Sequence, residues 1–212
     1  MTAVGDAPLV EYWVAGRPIP GEAESGDAYL VAPFPGGALA AVVDGLGHGP
    51  RAHDAAVLAI DTLAQQPGDP LPVLMQRCHH ALKTSRGAVM TLASFNAAHC
   101  TMSWLAVGNV DAFLLRAAAP GAKPAAIVPR GGIVGDRLPP LNPVTLPVYP
   151  GDLLLLATDG IATAFIREIG ALLQPRQLVN HILTQHAKST DDALIVGVQW
   201  INGNRAWMYG AP

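Results

Sequence analysis

An apolar run, Ala40-Ala41-Val42-Val43, stops abruptly at Asp44, and Gly45-Leu46-Gly47-His48-Gly49 follows before a helix-like segment begins. Four to eight apolar residues bounded by turn residues read as a buried strand. A carboxylate at the end of such a strand is held rigidly at the rim of the core. Gly45 beside it has no Cβ, so a ligand can approach the main chain closely. A carboxylate next to a bare carbonyl suits a hard cation that takes oxygen ligands. The pattern recurs at Leu153-Leu154-Leu155-Leu156-Ala157-Thr158, which leads into Asp159-Gly160. Any fold for this chain has to bury two strands whose acidic ends reach the rim.

Short elements surround these runs. Residues 8–17 read as a first strand. After the polar turn 21–27, residues 28–34 and the strand ending at Asp44 form a hairpin across Pro35-Gly36-Gly37. In a hairpin the start of one strand lies beside the end of the other, so Asp27 and Asp44 are expected at the same end of the sheet. From Pro50 to about Gln66, the spacing of Ala52, Ala55, Ala56, Ala59, Ile60 and Leu63 predicts a helix. Pro67-Gly68-Asp69-Pro70 breaks it, and a second helix is expected over 71–85. Strands at 87–95, 99–107, 111–117 and 125–129 with short turns read as a meander. Residues 130–143 read as a Gly/Pro-rich loop and 144–148 as a short strand. A helix is expected from Ile161 and another over 174–188. Ser189-Thr190-Asp191-Asp192 then leads into a core strand at 193–198, and 204–212 reads as a final edge strand.

The chain has 212 residues, half of them hydrophobic, which is enough to bury one sizeable core. Its 19 prolines and 22 glycines are spread between apolar runs with no linker, so residues 1–212 are expected to form a single domain. A net charge of −3 with no clustered basic face argues against nucleic acid as a partner. Cys78 and Cys100 have neither metal nor redox spacing and point to a reducing compartment. No basic-then-apolar leader opens the chain, and no apolar run of about 18 residues occurs. A cytoplasmic protein without membrane contact is expected.

Asp27, Asp44, Asp159 and the pair Asp191/Asp192 all sit where a turn or helix meets a strongly apolar strand. Carboxylates converging from strand rims repel each other and are raised in pKa. Two divalent cations would neutralise that charge. Paired metals about 3.5–4 Å apart activate water at neutral pH and clamp a phosphoryl oxygen. This route to phosphate-ester hydrolysis needs no nucleophilic side chain, and neither Ser25 nor Ser189 is flanked by a base.

Six pieces of the chain together resemble the metal-dependent type-2C-like serine/threonine phosphatases, in their SpoIIE-type branch. They are Glu24-Ser25-Gly26-Asp27, Val43-Asp44-Gly45-Leu46-Gly47-His48-Gly49, Arg86-Gly87-Ala88, Ala106-Val107-Gly108-Asn109, Ala157-Thr158-Asp159-Gly160-Ile161 and Asp191-Asp192-Ala193. They come in the family order and span about residues 8–200. The resemblance implies an α+β fold, an αββα sandwich of two antiparallel sheets flanked by helix pairs. It implies that Asp44 bridges two Mn²⁺ or Mg²⁺ ions. Asp27 and the Gly45 carbonyl would complete one site, and Asp159 with Asp191 the other. Asp44 and Asp159 are thereby the residues on which hydrolysis depends, with a metal-bridging hydroxide attacking phosphorus. The short length and the Asp-Gly-Leu-Gly-His-Gly wording are similar to the stressosome phosphatases. That implies removal of phosphate from serine or threonine on STAS-domain signalling proteins in a stress response.

The chain departs from the wider family at three places. A histidine directly after the Asp-Gly pair is replaced by Leu46, so His48 could either protonate the leaving alkoxide or cap the helix. No arginine lies between Gly21 and Asp27 to bind phosphate. Arg17 could reach, and Arg86 is either a turn residue or a phosphate contact. The last motif often reads Asp-Asp-x-Thr, and here Asp191-Asp192-Ala193-Leu194 lacks the threonine; the resemblance favours Asp191 as ligand with Asp192 behind it. Two other readings stay open: a catalytically silent binding module on the same scaffold, or the same chemistry on an anti-sigma factor antagonist. His53, His79, His80, His99, His181 and His186 read as surface residues, and Trp104 as core.

Overall fold

The computed structural model describes residues 8–167, 169 and 174–201. Among them, ten strands form two five-stranded antiparallel sheets. The first sheet runs in the order β1 (Val10–Arg17), β10 (Ala193–Trp200), β9 (Leu153–Ala157), β6 (Asp111–Leu115), β7 (Ala125–Ala126). The second runs β2 (Asp27–Phe34), β3 (Gly37–Gly45), β4 (Ala88–Asn96), β5 (Thr101–Val107), β8 (Val144–Pro147). The helices α1 (Pro50–Ala64) and α2 (Leu71–Ala81) cover the outer face of the second sheet, and α3 (Pro175–His186) covers that of the first.

The solid apolar runs follow from this layering. A strand at the centre of such a stack is buried on both faces, so its residues do not alternate with polar ones. In β3, Ala40 and Val42 face the other sheet, while Leu39, Ala41 and Val43 face the helices. In β9, Leu154 and Leu156 face the other sheet, while Leu153, Leu155 and Ala157 face α3. Trp104 is buried between the sheets, as is Trp200, whose ring stacks on Phe95 with centroids 5.7 Å apart. The alanines of α1 let it lie close on β3. A Cβ on Gly45 would stand 2.1 Å from the Ala52 carbonyl oxygen, so only glycine fits beside the first turn of α1.

Several elements differ from the sequence reading. The second helix ends at Ala81, and residues Leu82–Thr84 form a single 3-10 turn. The helix expected from Ile161 does not form there. The Ile161 side chain is buried, and its neighbours hydrogen-bond to the end of α3, Ala162 N to His186 O and Lys188 N to Gly160 O, both at 2.8 Å. A 3-10 helix, Thr163–Arg167, follows instead. The strand expected over 125–129 is only two residues long. The 130–143 loop is pinned: Val134 is fully buried and exchanges two main-chain hydrogen bonds with Ala88. His79 is therefore no simple surface residue, because its Nδ1 accepts the Gly135 N–H at 3.0 Å. Partial burial and the nearby Lys83 and His80 lower its proton affinity. His53, half-buried, donates from Nδ1 to the Ser25 carbonyl at 2.9 Å. The edge strand expected at 204–212 lies outside the described residues. Among those residues, no helix is long and apolar enough to cross a membrane.

Candidate functional site

The hairpin places Asp27 directly opposite Asp44 in the β2–β3 register. Cross-strand partners point to the same face. Asp44 shares its parity with Ala40 and Val42, so both carboxylates emerge between the two sheets, at their open rim. Gly45 donates its N–H to the Gly26 carbonyl at 3.0 Å, which closes the base of the turn. From the facing sheet, Thr158 continues the parity of Leu154 and Leu156. Its hydroxyl donates to Asp27 Oδ2 at 2.8 Å and accepts the Leu194 N–H at 2.9 Å. One threonine thus ties the Asp27 carboxylate of one sheet to the end of the other.

Asp159 and Asp191 flank this pair from the first sheet. Asn109, in the turn between β5 and β6, donates to Asp159 Oδ2 at 2.6 Å. The Lys188 ammonium donates to the Asp159 main-chain carbonyl. Asp192 has a different role, being only 3% exposed. Its Oδ1 accepts the Ile19 N–H at 2.7 Å and its Oδ2 the Gly26 N–H at 2.8 Å. Both oxygens are spent on holding the loop before β2 against β10. Asp191 is half-buried and uses Oδ1 to accept the Asp192 N–H at 3.0 Å. Gly160 is required where these ends meet, because a Cβ there would stand 1.8 Å from the Asp192 carbonyl oxygen.

The cluster is strongly acidic in a partly dry place. Burial pushes the Asp44 carboxyl up to about 8, and the charges of Asp27, Asp159, Asp191 and Asp192 act in the same direction. Burial likewise pushes Asp27 up to about 7, against the Thr158 hydrogen bond and with Asp192, Asp191 and Asp159 adding to it. Asp159 is raised by burial and by Asp191, and Asp111 at the start of β6 by burial and by Asp159. Among the described residues, no three carboxylate, imidazole or thiol side chains stand close enough together to hold one ion. The donor set is nonetheless all oxygen, with a surplus of negative charge. That chemistry fits a hard divalent cation such as Mg²⁺ or Mn²⁺.

The other residues singled out in the sequence lie around this centre. His48 is 61% exposed in its side chain, and its Nδ1 donates to Glu22 Oε1 at 3.0 Å. Arg17 Nη2 donates to the Lys188 carbonyl at 2.7 Å. Arg86 is exposed and lies against Gly47. Sequence reasoning gave no role to Thr158, Asn109, Lys188, Asp111 or Glu22. Thr158 and Asn109 stand inside recognised motifs, and strand parity alone turns Thr158 toward the cluster. Lys188 and Glu22 carry no signal, since their contacts depend on how separate loops pack.

Known proteins share this architecture. The family model described as "Stage II sporulation protein E (SpoIIE)" matches residues 35–200. The phosphoserine phosphatase RsbX of Bacillus subtilis (strain 168) is 24% identical over 174 residues, covering 82% of this chain and 86% of RsbX. A crystal structure of RsbX in complex with magnesium superposes with a TM-score of 0.80 at 21% identity, over 90% of this chain and 94% of that one. A chain from work on the bacterial stressosome, a modular system adapted to control secondary messenger signalling, gives 0.81 at 29% identity, over 90% and 99%. The catalytic domain of the serine/threonine phosphatase PstP, in complex with two manganese ions, gives 0.71 at 15% identity, over 91% and 99%.

Proposed function

The chain belongs to the SpoIIE family, and from that premise we propose that it is a metal-dependent protein serine/threonine phosphatase acting in a stressosome-type signalling system. The single observation that carries the reading is the register pair Asp27–Asp44, facing Asp159 and Asp191 across the rim between two sheets. We read residues 1–212 as one phosphatase domain, working in the cytoplasm. Its substrate would be phosphoserine or phosphothreonine on a STAS-domain signalling protein. Kinship with a phosphoserine phosphatase and with a stressosome chain supports that choice.

Asp27, Asp44, Asp159, Asp191 and the Gly45 carbonyl would hold two divalent ions, Mn²⁺ or Mg²⁺. When bound, these supply Lewis acidity toward the phosphoryl group and lower the pKa of water. The chain's own groups prepare the place. Thr158 and Asn109 fix the rotamers of Asp27 and Asp159, and Asp192 fixes the backbone that carries Gly26 and Asp27. The protons that Asp27 and Asp44 hold near neutrality must leave on loading, so metal affinity rises with pH through about 7 to 8.

The test is hydrolysis of a phosphoserine peptide and of p-nitrophenyl phosphate by the full chain with Mn²⁺. Chelator is expected to stop turnover and added Mn²⁺ to restore it. Asp44→Asn and Asp159→Asn should abolish turnover while circular dichroism stays native. Undiminished turnover in excess chelator would overturn the reading.

A further inference from the structure

We propose that Lys188 is a positioning residue of this site, a resident cation that offsets Asp159 and Asp111 and so makes the two ion positions unequal, with the Asp159–Asp191 one the weaker; the proposal rests on the metal-dependent reading above. Lys188 lies in the loop between α3 and β10, and its main chain is held on both sides. Its N–H donates to the Gly160 carbonyl at 2.8 Å, and its carbonyl accepts Arg17 Nη2 at 2.7 Å. The ammonium folds back onto the Asp159 main-chain carbonyl. The neighbouring residues run the same way, since Ile161 pairs with Ala187 and the Ala162 N–H donates to the His186 carbonyl. An exposed lysine is usually a loose charge, but this one is anchored at three points beside Asp159.

Its charge reaches two carboxylates. Burial raises the Asp159 carboxyl and Asp191 adds to the rise, while Lys188 opposes both. At Asp111, burial and Asp159 raise the carboxyl and Lys188 again opposes. Strand register explains why one cation serves two acids, because Asp111 is paired with Ala157, two residues before Asp159. The other half of the site has no such partner. At Asp44 burial is joined by other carboxylates, and at Asp27 the opposing influence is the neutral Thr158 hydroxyl. Among the described residues, no lysine or arginine bonds directly to the carboxylates of Asp27, Asp44, Asp159 or Asp191.

One charge thus has two effects of opposite sign. In the empty protein it relieves the repulsion among acids. When a divalent ion approaches Asp159 and Asp191, the same ammonium repels it. The Asp27–Asp44 position lacks the cation and fills first. A lysine that only complemented the C-terminal dipole of α3 would leave ion binding unchanged.

The experiment compares wild type, Lys188→Met and Lys188→Arg as full chains. The readouts are Mn²⁺ titration calorimetry and thermal unfolding in excess chelator at pH 8, each at low salt and at about 0.5 M salt. Lys188→Met is expected to tighten the weaker Mn²⁺ step by roughly 3- to 10-fold and to leave the tighter step unchanged. It should lower the Tm of the chelated protein by roughly 1–4 °C. Both differences should shrink at high salt, as a charge effect does and a packing effect does not. Lys188→Arg, which keeps the charge, should follow the wild type. Unchanged or weaker Mn²⁺ binding in Lys188→Met overturns the proposal. So do two equivalent ions in the wild type, tightening of both steps alike, or a change that Lys188→Arg shares. Should the wild type bind no Mn²⁺, the metal-dependent reading falls, while the salt-dependent Tm in chelator still decides whether Lys188 offsets the carboxylates.

Discussion

Replacing Asp44 by asparagine should make the metal-free protein more stable at neutral and alkaline pH, although it removes the centre of the site. The Asp44 carboxyl titrates near 3.8 in an unfolded chain and at about 8 in the fold. Because the folded value is raised, the stabilising contribution is complete below 3.8 and is lost as the pH rises through about 8. Each tenfold difference in proton affinity between the two states is worth about 1.4 kcal/mol, which sets a ceiling of about 5 kcal/mol at pH 8. Asp27 carries much of the same repulsion, and asparagine still has to bury an amide, so the net relief is roughly 2–4 kcal/mol. For a chain of this size, that raises Tm by roughly 5–15 °C. Thermal unfolding in excess chelator at pH 5 and pH 8 measures it. Wild type should lose Tm between the two, and Asp44→Asn should lose much less. Mn²⁺ at a thousand times its Kd should then offset this difference, since it adds about 4.1 kcal/mol to the protein that binds it. If Asp44→Asn in chelator is no more stable than wild type at pH 8, the carboxylates do not repel as the geometry requires.

Thr158→Val keeps the shape of the side chain but strands the buried Leu194 N–H and frees Asp27 from its partner. It should cost roughly 1–3 kcal/mol in urea denaturation and weaken Mn²⁺ binding in calorimetry. Asp192→Ala removes the acceptor of both Ile19 N–H and Gly26 N–H. It should cost roughly 2–4 kcal/mol, with faster amide exchange at those two residues in particular.

How much of the site is legible in the sequence depends on the range of the interaction. A Pro-Gly turn between two apolar strands fixes hairpin register, and register alone sets Asp27 opposite Asp44. The helix face of α1 is read from Ala52, Ala55, Ala56, Ala59, Ile60 and Leu63; five are buried and Ile60 is partly buried against the same core. The segment after Asp159 escapes such a reading because Ile161 pairs with Ala187, a partner 26 residues away that local propensity cannot see. His79 and His53 look like surface residues in the sequence for the same reason. Their partners, the Gly135 N–H and the Ser25 carbonyl, come from loops remote in the chain.

Local patterning marks which strands belong to the core and that two of them end in a carboxylate beside a glycine. Hydrophobic runs, turn residues and strand parity are local, and they survive without knowledge of the partner sheet. Only the tertiary structure decided what each acidic residue does. Asp191 and Asp192 are neighbours of one chemistry. Yet the packing of β10 against the loop before β2 gives Asp192 two main-chain N–H groups to satisfy, while Asp191 spends only Oδ1, on the Asp192 N–H. Likewise Arg17 and Arg86 are equivalent as letters. One is spent on a carbonyl and the other lies open along Gly47, because charge is assigned by what the folded chain brings within hydrogen-bonding distance.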